Sequence, residues 1–109
     1  MDESVVKHLE QQNEVADVLR RAKALIGTPE KWGKDVQVAW GGRLCVNLAI
    51  NQSRVWLHEE DEAGNLFRDA NSIDGETPDW NDAPERTHAD VMQAFDRAIA
   101  LATSPRAEG

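Results

Sequence analysis

The sequence of 109 residues has one cysteine, Cys45, and therefore cannot form an internal disulfide. A single thiol fits a reducing compartment such as the cytoplasm, where disulfides are rare. The chain also lacks an apolar run long enough to span a membrane, and its first residues lack the basic and apolar stretches of a signal peptide. These absences predict a soluble, cytoplasmic protein that is not attached to a membrane.

Motifs for the common catalytic and cofactor chemistries are missing as well. The sequence contains no P-loop, no Gly-x-Gly-x-x-Gly and no Gly-x-Ser-x-Gly motif. Its three histidines, His8, His58 and His88, do not have the close spacing of zinc ligands. We therefore expect no metal and no cofactor, and a non-enzymatic role is favoured over an enzymatic one.

Basic residues are scarce between residues 59 and 90, where 11 acidic residues stand against 2 arginines for a net charge of −9. Because the rest of the chain is close to neutral, this segment accounts for the total charge of −8. Binding to a nucleic acid backbone is disfavoured, since it requires clustered Lys and Arg. An acidic surface instead complements a basic protein. Seven residues are expected to form that surface: Glu59, Glu60, Asp61, Glu62, Asp69, Asp74 and Glu76.

The length and the spacing of apolar residues indicate a single domain that is mainly α-helical. Apolar residues at three- and four-residue steps predict a long amphipathic helix over about residues 4–26 and another that starts near Val91. A further helix is predicted around residues 59–70, followed by a loop over residues 71–79. The last residues, 104–109, are expected to form a flexible tail.

The segment of residues 36–50 is consistent with two structures. Apolar residues at alternate positions on both sides of Gly41-Gly42 are typical of a β-hairpin. These positions are Val36, Val38, Trp40, Leu44, Val46, Leu48 and Ile50. Cys45, Leu48 and Ala49 also form a small apolar face at helical spacing. The alternative to a mainly α fold is thus an α+β fold with a central hairpin.

The stretch Trp80–Val91, WNDAPERTHADV, is predicted to be a structural corner that leads into the last helix. Thr87 and Asp90 have the spacing of a capping box, in which each side chain bonds the backbone N–H of the other residue. Asp82 and Glu85 have the same spacing. The stretch therefore allows two successive helix starts.

Two other residues of the corner have predicted structural roles. Trp80 is expected to bury its ring against the last helix, and Asn81 to bond its own backbone in a turn. The competing interpretation is a binding or catalytic cluster of polar side chains at the start of a helix. That cluster would contain Asn81, Asp82, His88 and Asp90, and Cys45 would be its nucleophile if it were catalytic.

The residues from Trp80 to Ala102 resemble the C-terminal signature of a family catalogued as domain of unknown function 6197. That signature has a Trp-Asn-Asp corner, a capping Thr and a last helix that starts with an acidic residue, Val and a hydrophobic residue. Residues 21–32 and 42–50 resemble its upstream features, a helix ending in Leu-Ile, a following Trp, and a Cys that opens a short buried helix. Leu48 departs from the glycine usual in the family. The resemblance implies a mainly helical fold and frequent occurrence in phage or mobile genomes, and it implies no activity.

Together these observations favour a small acidic protein that acts by binding a basic protein. Given the resemblance, the expected target is a host nucleic-acid-binding or defence protein, and an anti-CRISPR inhibitor would be one instance. One alternative is a hydrolase-like or ligand-binding domain that uses Cys45, Asn81, Asp82 and His88. A second alternative is a structural subunit that forms a homodimer through the first helix.

Overall fold

Five helices make up the regular structure of residues 3–34, 42–55 and 57–103, which are the residues that the computed structural model describes. Within these ranges, side chains are described for residues 14–34, 42–55 and 61–103. The helices are α1 (Glu3–Leu25), α2 (Val46–Ser53), α3 (Leu57–Ala70), α4 (Thr77–Asp82) and α5 (His88–Thr103). The prediction of a mainly α fold with long N- and C-terminal helices is confirmed.

The buried face of α1 supports much of the core, because α1 packs against α5, α2 and α3. Val15, Val18, Leu19 and Ala22 are buried on this face, and Ile26 extends it beyond the last residue of the helix. Their three- and four-residue spacing places them along one stripe. Many of the fully buried core residues are alanines, which let helices approach closely: Ala16, Ala22, Ala49, Ala63, Ala94 and Ala98.

Two phenylalanines fill the contact between α3 and α5. Phe67 of α3 and Phe95 of α5 are both fully buried. Their ring centroids lie 5.0 Å apart, and the ring planes are inclined by 61°. This edge-to-face arrangement is favourable for aromatic pairs. The predicted helix over residues 59–70 is therefore held by its apolar face against the C-terminal helix.

The hairpin alternative is contradicted in its second half, because Val46 to Ile50 belong to α2. Cys45 is the N-cap of this helix, and its Sγ accepts a hydrogen bond from the Leu48 N–H at 3.5 Å. The buried residues of α2 follow helical spacing: Val46, Ala49, Ile50 and Ser53. Leu44 makes an isolated parallel bridge with Trp32, and the first half of the proposed hairpin, residues 36–40, lies outside the described residues.

The segment after α3 also differs from its prediction. A short helix, α4, begins at Thr77 inside the stretch predicted to be a loop, and Pro78 lies in its first turn. Asp82 is the last residue of α4, so the helix start predicted there is wrong. Residues 84–85 form a turn, and α5 begins at His88.

None of the helices in the described ranges combines the length and the apolar character that crossing a membrane requires. The tail predicted over residues 104–109 lies outside those ranges.

Candidate functional site

Asn81 lies at the centre of a buried hydrogen-bond network near the end of α4. Its Oδ1 accepts hydrogen bonds from the Trp32 Nε1–H at 2.7 Å and from the Val46 N–H at 3.1 Å. Its Nδ2 donates to the carbonyl of Gly33 and to Oδ1 of Asp82, each at 3.0 Å. The amide has two donor hydrogens and two acceptor lone pairs, and these four bonds use all of them.

This network joins three segments that are far apart in the sequence. Trp32 and Gly33 follow α1, Val46 starts α2, and Asn81 itself belongs to α4. The Val46 N–H is one of the first-turn donors that a helix cannot satisfy internally, so Asn81 caps α2 together with Cys45. The prediction that Asn81 bonds its own backbone in a turn is wrong, because its bonds to Val46 and Trp32 span 35 and 49 residues.

Trp80 and Arg86 form a stacked pair on the outer side of this corner. The ring of Trp80 meets Phe67 of α3 edge-on, with centroids 5.5 Å apart, and Phe67 in turn contacts Phe95 of α5. The guanidinium carbon of Arg86 lies 3.9 Å from the centroid of the Trp80 ring. Its Nε also donates to the carbonyl of Trp80 at 3.0 Å. Ring stacking and a backbone hydrogen bond thus fix the position of this guanidinium.

The predicted capping box forms at the start of α5. The hydroxyl of Thr87 accepts from the Asp90 N–H at 3.1 Å, and Oδ2 of Asp90 accepts from the Thr87 N–H at 3.0 Å. Hydrogen bonds to the Asp90 carboxylate from the Thr87 N–H, and next from the Thr87 side chain, are the main causes that hold the pKa of Asp90 below its usual value, and the charges of Arg86 and Arg97 contribute further. Asp90 therefore stays ionised at the first turn, where the helix dipole favours negative charge.

His88 connects the start of α5 to the end of α1. Its Nε2 lies 2.8 Å from the carbonyl oxygen of Ile26, so this nitrogen carries a proton and donates it. Its ring centroid is 6.2 Å from that of Trp32, which is bonded to Asn81. The structure therefore brings both His88 and Asn81 next to one tryptophan.

The proposed nucleophile, Cys45, lies beside Val46 at the same corner, and its side chain is half-buried. Among the described residues, no hydrogen bond joins the Cys45 thiol to His88. The thiol accepts a bond from a backbone N–H, and the protonated Nε2 of His88 is used on Ile26. These contacts serve to start one helix and to attach another, and they do not pair a nucleophile with a base.

The acidic segment lies largely on the surface. Of its side chains that the structure describes, eight are exposed, and only Asp90 is half-buried. The exposed set is Asp61, Glu62, Asp69, Asp74, Glu76, Asp79, Asp82 and Glu85. The side chains of Glu59 and Glu60 lie outside the described set. In the part of the chain that was searched, no three His, Cys, Asp or Glu side chains converge in a way that could hold a metal ion.

A polar cleft of about 390 Å³ lies between the end of α3 and one face of α5. Its walls are formed by Ala70, Asn71, Ser72, Trp80, Arg86, Asp90, Gln93 and Arg97. The sequence patterns described above do not predict this cleft. A signal was available, because Asp90, Gln93 and Arg97 are three and four residues apart and so share one face of a helix that is otherwise notable for its apolar side.

Comparison with known proteins identifies the family of this chain. The model of a family of unknown function, DUF6197, matches residues 10–101, and the chain therefore belongs to that family. The resemblance of the corner and last helix to this family is thus confirmed. No curated protein and no solved structure matches the chain.

Proposed function

We propose that this DUF6197 family member is a non-enzymatic protein that acts by binding a basic protein in the cytoplasm. Its contact region would be the acidic surface, defined as the seven carboxylates Glu59, Glu60, Asp61, Glu62, Asp69, Asp74 and Glu76. The observation that carries the proposal is the exposure of every one of these side chains that the structure describes. Exposed carboxylates raise the local negative potential and speed the approach of a basic partner.

The geometry of α3 concentrates three of these charges. Asp61, Glu62 and Asp69 are exposed, whereas Ala63 and Phe67 of the same helix are buried. At about 100° per residue, the three exposed carboxylates fall within a sector of about 100° around the helix axis. One side of α3 therefore faces the core, and the opposite side presents negative charge to a partner.

The remaining acidic residues extend the negatively charged surface beyond α3. Asp74 and Glu76 are exposed on the turn before α4. By contrast, two acids outside the segment are already paired on the surface: Asp17 lies 2.9 Å from Arg20, and Asp96 lies 2.6 Å from Lys23. The positions of the carboxylates of the acidic surface, and not only the net charge of the chain, should therefore determine where a partner binds.

The class of partner follows from the same chemistry. A protein that binds nucleic acid presents clustered Lys and Arg to phosphates, and an acidic surface competes for those groups. The resemblance of the corner and last helix to the family implies occurrence in phage and mobile genomes, and on that implication we propose a host nucleic-acid-binding or defence protein as the target. Inhibition by occupying its phosphate site, as an anti-CRISPR protein could do, is the expected mode of action.

Affinity capture with matched charge variants tests this proposal. The surface variant Asp61→Lys, Glu62→Lys and Asp69→Lys changes the net charge from −8 to −2, and so does the control variant Glu14→Lys, Asp17→Lys and Asp96→Lys. All six positions are exposed, and surface ion pairs contribute little to stability, so both variants should fold.

The expected result is a basic protein that is retained by the wild-type chain and by the control variant but lost with the surface variant. Recovery of no basic partner, or equal retention by both variants, would contradict the proposal. A partner held only through net charge would be lost with both variants, which would also contradict it.

A further inference from the structure

The polar cleft between α3 and α5 contains two guanidinium groups in a chain whose net charge is −8. Arg86 is held over the Trp80 ring, and Arg97 Nη1 donates to Oδ1 of Asn71 at 3.0 Å. In the part of the chain that the structure describes, neither arginine forms an ion pair with a carboxylate. Their remaining N–H groups can therefore bind a ligand.

Both guanidinium groups already contact other residues of the chain before any ligand arrives. Asn71, which holds Arg97, donates from its Nδ2 to the carbonyls of Phe67 at 2.9 Å and Ala94 at 3.0 Å. Arg86 is fixed by stacking and by its bond to the Trp80 carbonyl. Groups that are already ordered lose less conformational entropy on binding, which favours affinity.

The charge of the cleft selects the kind of anion. Two arginines face one carboxylate, Asp90, so the cleft carries one excess positive charge. An adjoining cavity of about 370 Å³ shares Asn71, Ser72 and Trp80 with the cleft, and it is also lined by acidic residues. Those acids are Asp74, Glu76 and Asp79. They would repel a phosphate dianion more strongly than a carboxylate, which has a single charge.

We propose that this cleft binds a carboxylate group, with Arg86 and Arg97 as the two cations that hold it. Arginine suits this role because its planar guanidinium can donate two parallel hydrogen bonds to a carboxylate. The volume of about 390 Å³ lies at the small end of ligand sites, so the ligand is a small carboxylic acid or the C-terminal residue of a peptide. This site differs in charge from the acidic surface, although Asp74 and Glu76 of that surface line the adjoining cavity.

The test is a titration of the ¹⁵N-labelled full chain at low ionic strength, observed through the Nε–H signals of its arginines by NMR. The probes are acetate, N-acetyl-alanyl-alanine, the C-terminal amide of that peptide, and inorganic phosphate. We expect the two carboxylates to shift the signals of Arg86 and Arg97 in a saturable way. The uncharged amide should cause no such shift. Tighter binding of the peptide than of acetate would identify a peptide terminus as the source, and the reverse order would identify a free acid.

Two variants locate the binding site, and a third variant serves as their control. Arg97→Gln removes one cation, and Gln93→Glu adds a repelling charge at an exposed position of the cleft. Each should weaken carboxylate binding by about tenfold, the usual effect of losing one charge-assisted contact. Arg20→Gln, an exposed arginine of α1, should leave it unchanged.

Equal affinity of the wild type, Arg97→Gln and Gln93→Glu would overturn the site. So would binding of the amide as tightly as the acid, or tighter binding of phosphate than of either carboxylate. The amide spectra of the variants show whether each remains folded. Since Arg97 and Gln93 are exposed side chains, both variants should retain the wild-type dispersion.

Discussion

At the residue scale, Asn81 determines how three parts of the chain meet. Its side chain is fully buried, yet all four of its hydrogen-bonding positions are filled. An amide in the interior that lost these partners would cost far more than one at the surface, because water could not replace them. Asn81 is therefore a structural residue whose removal affects the loop after α1 and the start of α2 together.

Replacing this side chain should destabilise the protein strongly. Asn81→Ala leaves the Trp32 Nε1–H, the Val46 N–H and the Gly33 carbonyl without a partner in the interior. We expect a loss of about 3 kcal/mol in the free energy of unfolding, measured by urea denaturation.

Asn65→Ala is the matched control, because Asn65 is exposed on α3 and its removal should cost less than about 0.5 kcal/mol. A double-mutant cycle adds a second check: Trp32→Phe should cost less in the Asn81→Ala background than in the wild type. A cost for Asn81→Ala no larger than that for Asn65→Ala would show that the network does not hold the corner.

The capping box gives a second prediction at the residue scale. Thr87→Ala removes the hydroxyl that accepts from the Asp90 N–H, and it should lower the free energy of unfolding by about 1 kcal/mol at neutral pH. Thr103→Ala, at the exposed end of α5, should have a smaller effect.

The same residues predict a pH dependence. Because the pKa of Asp90 is lower in the folded chain than in the unfolded one, its stabilisation is present at neutral pH and is lost as pH falls below about 4. Thr87→Ala should raise this pKa toward its usual value, which a ¹³C titration of the Asp90 carboxyl group would show. Because the Thr87 N–H is the larger cause and alanine keeps it, the rise should be partial, and an unchanged pKa would show that the Thr87 hydroxyl does not contribute.

At the scale of elements, the end of α3 shows how a helix stops without glycine. Ser72 has a φ of 52°, a left-handed conformation that L-residues rarely adopt. The Ser72 N–H bonds the carbonyl of Asp69 at 3.4 Å, and the Ile73 N–H bonds that of Arg68 at 3.0 Å. These two bonds define a Schellman motif, in which the position of Ser72 is usually occupied by glycine.

Replacing this serine by glycine should therefore stabilise the protein. Ser72→Gly removes the steric cost of the left-handed conformation, and we expect a gain of about 1 kcal/mol in thermal or urea unfolding. Ser72→Ala keeps a Cβ atom at the same position and should give no gain. If the two variants were equally stable, the backbone at this turn would not carry the expected strain.

The elements that could be predicted from the sequence are those in which the spacing of apolar residues within the segment itself indicates a helix. The helix ending at Ala70 has apolar residues at helical spacing from Ala63 onward, and the C-terminal helix has them along its length. The pattern in α2 is less clear, because one of its four buried positions is Ser53. Ser53 is tolerated there because its hydroxyl donates to the Ala49 carbonyl at 2.7 Å. The backbone carbonyl of Ser53 in turn accepts hydrogen bonds from the guanidinium group of Arg21.

Features that depend on distant contacts could not be predicted in this way. The helix α4 has only six residues, which is too short to show a clear period. The partners of Asn81 lie 35 and 49 residues away, so nothing next to it in the sequence indicates them. Arg86 and Arg97 meet in one cleft because the turn before α5 folds back over Trp80.

At the scale of the whole molecule, groups of opposite charge occupy adjacent places, since Asp74 and Glu76 of the acidic surface line the cavity beside the arginine cleft. The exposed carboxylates of α3 and of the turn before α4 form the acidic surface, whereas the two arginines of the cleft are directed at one cavity. A single protein could thus contact a basic partner through one feature and hold a carboxylate in the other. Because the two features differ in sign, salt should weaken both, but charge reversal on α3 should affect chiefly the first.

The most direct test of the central claim is the dissociation constant for the captured partner at about 50 mM and about 200 mM salt, measured by titration calorimetry. The chains compared are the wild type, the surface variant Asp61→Lys, Glu62→Lys and Asp69→Lys, and the control variant Glu14→Lys, Asp17→Lys and Asp96→Lys. We predict that the surface variant binds at least about tenfold more weakly at the lower salt concentration and that its affinity depends less on salt. The control variant should remain close to the wild type in both respects. Equal weakening by the two variants, or an affinity that salt leaves unchanged, would contradict the account.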